Sequence, residues 1–260
     1  MPRVAVCFFL LLLVSATRLN AQQWEVGAQL GASGYQGDLN QRNVLQVSGI
    51  AAGVSLRYNF NGYLSLKASY IRAQIEGADS TSKYRQQRDR NLSFFTPLNE
   101  MSLVGEFNFF EYLPGDGIHK LTPFIYGGIA AVNYKPQAIY QGQTYDLAPL
   151  MTEGQVKPYK STVLSIPIGA GIKYNFWGKL GVTLDVGYRT AMTDYLDDVS
   201  GYYAPKAVFN SQTAYDLSDR SINKTGRPGT QRGDLRNFDT YMVYSIGFTY
   251  TILNSKCYYR

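Results

Sequence analysis

The stretch Ile50-Ala51-Ala52-Gly53-Val54-Ser55-Leu56-Arg57-Tyr58-Asn59-Phe60 alternates without a break. Ile50, Ala52, Val54, Leu56, Tyr58 and Phe60 share one side, and Ala51, Gly53, Ser55, Arg57 and Asn59 the other. A period of two sustained this long predicts a strand with one apolar face and one small or polar face. Asn61-Gly62 follows as a tight hairpin turn. The pattern then resumes over residues 63–74, where Leu64, Leu66, Ala68 and Tyr70 oppose Ser65, Lys67 and Ser69.

The alternation recurs over residues 24–34, 98–110, 121–134, 161–176, 180–192 and 239–252, which makes eight segments. In 121–134 the apolar face is read as Phe124, Tyr126, Ala130 and Val132, with Ile125 and Ile129 blurring the other. Each segment reaches or slightly exceeds the roughly 9–11 residues that a tilted membrane strand needs. Alternation alone also fits a lipocalin-like soluble barrel with its apolar face inward.

Three features favour the membrane. The connectors alternate between short ones (61–62, 111–120, 177–179) and long ones (35–49, 75–97, 135–160, 193–238), as in barrels with short periplasmic turns and long extracellular loops. Trp24, Phe60, Tyr63, Phe110, Tyr112 and Trp177 gather at the short-turn end, which predicts a periplasmic aromatic girdle. The polar faces carry Glu25, Arg57, Lys67, Glu100, Glu106, Lys173, Asp185 and Arg189. Both signs are equally represented, which suits a narrow lumen where buried charges must pair. The expectation is an all-β, eight-stranded antiparallel transmembrane barrel in the outer membrane.

Composition agrees. Charged residues are 17% and hydrophobic residues 45%, against disorder and coiled coil. The 22 Tyr and 25 Gly favour strands. Residues 1–21 have the charged start, apolar run and small-residue end of a secretory signal, with cleavage expected after Ala21 and the barrel occupying 22–260. Cys7 lies within that leader and leaves Cys257 alone, so no intrachain disulfide is expected. Of the formal charge of +6, two units come from Arg3 and Arg18 in the leader. The remainder is mild and scattered, which argues against nucleic acid. No later run is long and apolar enough for a membrane helix.

Chemistry-bearing motifs are sparse. His119 is the only histidine, placed in a short periplasmic turn with no nucleophile beside it, so neither an enzyme nor a cofactor is expected. Asp194, Asp197 and Asp198 lie within five positions and form a candidate Ca²⁺ site, with bonds to backbone N–H groups or to Arg220, Arg232 and Arg236 as the alternative. Lys83, Arg85, Arg88 and Arg90 make the second long loop basic, with Asp79 and Asp89 nearby. Such a loop is either a solvated face or a contact for lipid phosphates. Arg232-Gly233-Asp234 is too short a match to indicate adhesion.

Several stretches together resemble the Bacteroidetes outer-membrane barrel family typified by PorG, a component of type IX secretion. They are Thr152-Glu153-Gly154-Gln155, Ile166-Pro167-Ile168-Gly169-Ala170-Gly171-Ile172-Lys173-Tyr174, and Tyr188-Arg189-Thr190 leading to Thr193-Asp194-Tyr195-Leu196-Asp197-Asp198-Val199-Ser200. Asp219-Arg220-Ser221, Arg232-Gly233-Asp234 and a last strand opening at Asp239 follow. The similarity is densest over residues 120–252. It implies a structural barrel that ties a periplasmic PorK/PorN-type ring to the outer membrane; for such a role the contacts are expected on the periplasmic turns and tail, including 111–120 and 253–260. The competing expectation is a small surface barrel for adhesion, ligand binding or envelope stability.

Overall fold

The computed structural model describes residues 23–40 and 46–252. The expected leader, Cys7, Cys257 and the tail from 253 lie outside the described residues. Among the described residues no helix is long and apolar enough to cross a membrane, and the chain is built from strands.

Eight strands close on themselves. In chain order they are β1 (Gln23–Gln36), β2 (Val47–Asn59), β3 (Leu64–Ala78), β4 (Ser93–Asn108), β5 (Leu121–Tyr134), β8 (Thr162–Trp177), β9 (Leu180–Ala191) and β10 (Thr240–Ile252). Each pairs antiparallel with its neighbour, and β10 returns to β1 from Trp24↔Ile252 to Gln36↔Thr240. Closure leaves no strand edge, so backbone N–H and C=O groups are satisfied where no water reaches them. A short hairpin, β6 (Gln137–Tyr140) and β7 (Gln143–Asp146), branches from the β5–β8 connection and touches β4 at Phe95↔Gln137. Residues 135–160, expected as a plain loop, contain this hairpin because Gln141-Gly142, both at positive φ, supply its turn.

β3 and β4 are longer than a membrane crossing requires. Their pairing continues to Ala78↔Ser93, well into the segment 75–97 expected to be a loop. Along β3 the inward side chains change from Ser65, Lys67 and Ser69 to Ile71, Ala73 and Ile75. The outward ones change from Leu64, Leu66 and Tyr70 to Arg72, Gln74 and Glu76. The barrel is apolar outside within the bilayer and apolar inside above it. The backbone continues unbroken while the surroundings change from lipid to water, so the favourable side for an apolar group reverses.

The main hydrophobic core therefore sits above the membrane. Ile71, Ala73, Ile75, Phe94, Leu98, Val132 and Tyr241 project inward from the extended strands. They meet Leu39, Leu147, Leu196, Val199 and Leu217 from the loops that close over the mouth.

At the other end, the Asn61-Gly62 turn spans residues 60–63. Asn61 Oδ1 accepts from the N–H groups of Tyr63 and Leu64, both at 2.8 Å. Gly62 does not take positive φ, so the turn is closed by an asparagine side chain and is not the two-residue primed type.

Candidate functional site

The lumen contains two layers of paired charge. In the lower layer Glu106 forms ion pairs with three cations: Arg57 Nε at 2.8 Å, Lys67 Nζ at 3.2 Å and Lys173 Nζ at 2.6 Å. Arg57 Nη1 also reaches Glu25 at 2.7 Å, and Asn59 donates to the other Glu25 oxygen at 2.5 Å. These groups are almost fully enclosed, with Glu106 2% exposed and Lys173 0%. In the upper layer Glu100 accepts from Arg189 Nε at 3.0 Å and Tyr241 Oη at 2.6 Å. Asp185 accepts from Ser245 at 2.7 Å and Tyr126 at 3.3 Å. All eight charges read from the polar faces thus point inward. Glu100 and Arg189 form one pair, Asp185 makes hydrogen bonds without an ion pair, and the other five join around Glu106 and Arg57.

On β5 the expected apolar face is reversed. Phe124, Tyr126, Ala130 and Val132 are buried in the interior, and Ile125 and Ile129 face lipid. The lumen needs volume as well as charge. Phe124 lies 4.6 Å below Lys173 Nζ and Tyr126 5.0 Å from Lys67 Nζ, so the rings fill space while their faces attract the cations. Gly169 pairs with Gly187 on the adjoining strands, and a Cβ at Gly169 would lie 2.4 Å from the Tyr126 ring. This glycine pair makes room for Tyr126.

Between the two layers the enclosed space is about 10 Å³, the size of a single water. Planar-bilayer recordings are expected to show no stable channel. Steady unitary currents at neutral pH would show that the packed layers open.

At the periplasmic rim Trp24, Phe60, Tyr63, Phe110 and Trp177 face outward and are at least one-third exposed. Tyr112 departs from the expected girdle. It is 3% exposed, with its backbone N–H on Gly62 O at 3.0 Å and its ring 5.9 Å from Lys173 Nζ. The turn 109–120 folds back under the barrel and carries Tyr112 inside, beneath the charged layer. His119 lies on the exposed side of that turn, bonded to Asp116 and 3.5 Å from Glu111. The hydrogen bond to Asp116 raises the imidazole's pKa. Slight burial works to raise Asp116, but the same bond and two backbone N–H groups outweigh it and hold its carboxyl below the ordinary value.

At the extracellular end the segment after β9 crosses the mouth. Asp198 accepts from Thr152 at 2.5 Å and Tyr159 at 2.7 Å. Arg232 Nη1 bonds Glu153 at 2.9 Å and the Asp198 carbonyl at 2.7 Å. Glu153 also caps the Ser200 N–H at 2.9 Å. Tyr134, Tyr159 and Tyr195 stack with ring centroids 6.2 and 4.5 Å apart. Arg232 is buried, so Arg232-Gly233-Asp234 is not displayed as a surface tripeptide. Arg90 turns away from the exposed basic loop to clamp both Asp79 oxygens at 2.7 Å, while Arg85 stays outside with Asp89 at 3.6 Å.

The expected acidic trio is divided. Asp198 joins the Thr152–Tyr159–Arg232 knot because its position has positive φ, which turns it away from Asp197. Asp197 instead meets Asp38 and Asp239, and Asp194 meets Asp38 and Asp234. Within each group one carboxylate oxygen per residue lies within 4.8 Å of the others. Tyr35 Oη donates to Asp197 at 2.5 Å and Asp239 at 3.3 Å. Burial first, then repulsion from neighbouring carboxylates, pushes Asp38 and Asp239 well above the ordinary aspartate range. Burial also raises Asp197, against the hydrogen bond from Tyr35. Asp38 carries no motif in the sequence, and nothing in the sequence joins it to Asp239. They stand at opposite ends of the chain and meet only because β1 and β10 are neighbours.

A closed strand ring with an apolar belt, an inward charge lattice and aromatic side chains at its lower rim describes a protein of the outer membrane. No curated protein matches the sequence. The chain belongs to the family described as Domain of unknown function (DUF6089), which matches residues 4–260.

Similar solved structures include proteins described as outer-membrane proteins. Neisserial surface protein A is 10% identical with a TM-score of 0.45, over 87% of this chain and 96% of that one. Ail of Yersinia pestis, bound to the heparin analogue sucrose octasulfate, is 10% identical with a TM-score of 0.43, over 89% and 99%. A major outer membrane protein of Thermus thermophilus is 14% identical with a TM-score of 0.43, over 90% and 100%.

Proposed function

We propose that this barrel is a non-enzymatic, non-conducting anchor that acts by contact at its two ends. Its periplasmic end would serve type IX protein secretion, in the manner of PorG, by holding a PorK/PorN-type ring to the outer membrane. The observation that carries the anchor reading is the lumen, filled by two ion-paired layers with room for one water between them. Such a packed interior supports contact at the surfaces over conduction or catalysis within the lumen.

The secretion reading rests on the resemblance. Four of the stretches that carry it meet in one place: Thr152 on Asp198, Glu153 on Arg232 and Ser200, and Leu196 N–H on Asp239. At the periplasmic end, turn 109–120 offers the exposed Phe110 and Ile118 beside the His119–Asp116–Glu111 group.

The test is recovery of the tagged barrel in mild detergent from its own outer membrane, followed by mass spectrometry. Co-recovery of PorK/PorN-like proteins, lost on Ile118→Asp, is the expected result. A barrel recovered alone, with ring proteins present in the input, would overturn the secretion role. The second reading, a surface barrel for adhesion, ligand binding or envelope stability, draws on an open groove of about 1040 Å³ on the extracellular side, lined by Arg85, Arg90, Tyr203 and Arg227.

A further inference from the structure

We propose that the carboxylates beneath the extracellular cap bind a hard divalent cation of the calcium type. Asp38, Asp197 and Asp239 hold it, with Asp194 and Asp234 alongside. This site is independent of any role in secretion and differs from the contiguous Asp194–Asp197–Asp198 reading in its ligands.

The first observation is geometric. Asp38 belongs to both groups of three carboxylate oxygens lying within 4.8 Å of one another. Oxygens on opposite sides of one Ca²⁺ are separated by about 5 Å, so the spacing fits one ion. The second is an unpartnered atom. Asp38 is 1% exposed, its Oδ1 accepts from the Asp234 N–H, and its Oδ2 has no hydrogen-bond partner. A buried carboxylate oxygen without a donor costs free energy that a cation would recover.

Of the cap arginines, Arg90 and Arg232 pair with acids outside the cluster, and Arg236 pairs with one of its flanking members, Asp234. Arg90 is bidentate on Asp79, Arg232 pairs with Glu153 and Asp198, and Arg236 reaches Asp234 at 3.3 Å. Among the described residues none forms an ion pair with Asp38, Asp194, Asp197 or Asp239; Arg90 donates to the Asp38 backbone carbonyl at 3.2 Å and acts on the Asp38 and Asp197 carboxylates from longer range, as Arg236 does on Asp194. The donors are carboxylates with the Tyr35 hydroxyl beside them, without nitrogen or sulfur, which favours Ca²⁺ over zinc. Asp38 comes from the β1–β2 loop, Asp194 and Asp197 from the segment after β9, and Asp234 and Asp239 from the approach to β10. One ion would clamp three segments over the barrel mouth.

The test uses the full chain in detergent micelles, stripped with chelator and titrated with CaCl₂ by calorimetry, with thermal unfolding followed in parallel. Saturable binding of one ion per chain and a higher melting temperature in Ca²⁺ are expected. Asp38→Asn and Asp239→Asn should each weaken binding by about tenfold or more, whereas Asp89→Asn, on the exposed helix Arg85–Arg90, should not. Equal melting in Ca²⁺ and chelator with no saturable heat from the wild-type chain would overturn the proposal, whether or not the variants fold. So would binding that survives both Asp38→Asn and Asp239→Asn unchanged.

Discussion

Glu106→Gln is expected to destabilise the folded barrel by about 3–5 kcal/mol, or to prevent its assembly. The carboxylate is shared by Arg57, Lys67 and Lys173, all buried within the strand ring. The amide keeps the shape and removes the charge, leaving three enclosed cations facing one another. Arg57 retains Glu25 and Lys173 retains Asn108 at 2.9 Å, but Lys67 loses its one anionic partner and keeps the Tyr126 ring beside the amide. Urea unfolding in phospholipid vesicles, read by heat-modifiable gel mobility, measures the loss. A change smaller than about 0.5 kcal/mol would place the variant among ordinary surface substitutions and show that the lattice contributes little.

The second large effect lies on the other face. Leu103 projects outward from β4 between the levels of the two lumen layers, near the centre of the apolar belt. Leu103→Arg is expected to cost about 2–4 kcal/mol in the same assay, because a guanidinium at mid-bilayer depth loses its hydration. Phe109→Arg, at the periplasmic rim, should cost at most about 1 kcal/mol. The depth dependence is the diagnostic result. Equal losses at both positions would mean that the outer face does not lie against acyl chains.

Period-two alternation is a local property, and the eight barrel strands were legible from it. The residues opposite Ile50, Val54 and Leu56 on β2 are the ones that enter the lumen, because closing the ring forces one face inward. On β5 the same reasoning gives the wrong phase, since both faces are apolar and the aromatic one enters the lumen. Phe124 and Tyr126 turn inward because two lysines from other strands need ring faces beside them. Tyr112 was misplaced for a related reason. Its aromatic character suits a rim, and only the fold of turn 109–120 carries it underneath. The extensions of β3 and β4 read as loop in the sequence because their apolar side chains change faces as the strands leave the bilayer.

The order of residues along the chain by itself determined the number of barrel strands, the alternation of short and long connectors, and which charges would share a strand face. Each depends on neighbours within a few positions. The tertiary structure alone decided where inside and outside exchange along β3 and β4, which layer each charge joins, and that Asp38 meets Asp197 and Asp239 beneath the cap. Those outcomes depend on ring closure and on the surrounding medium at each height. Both bring together groups that are far apart in the chain and carry no mark of one another.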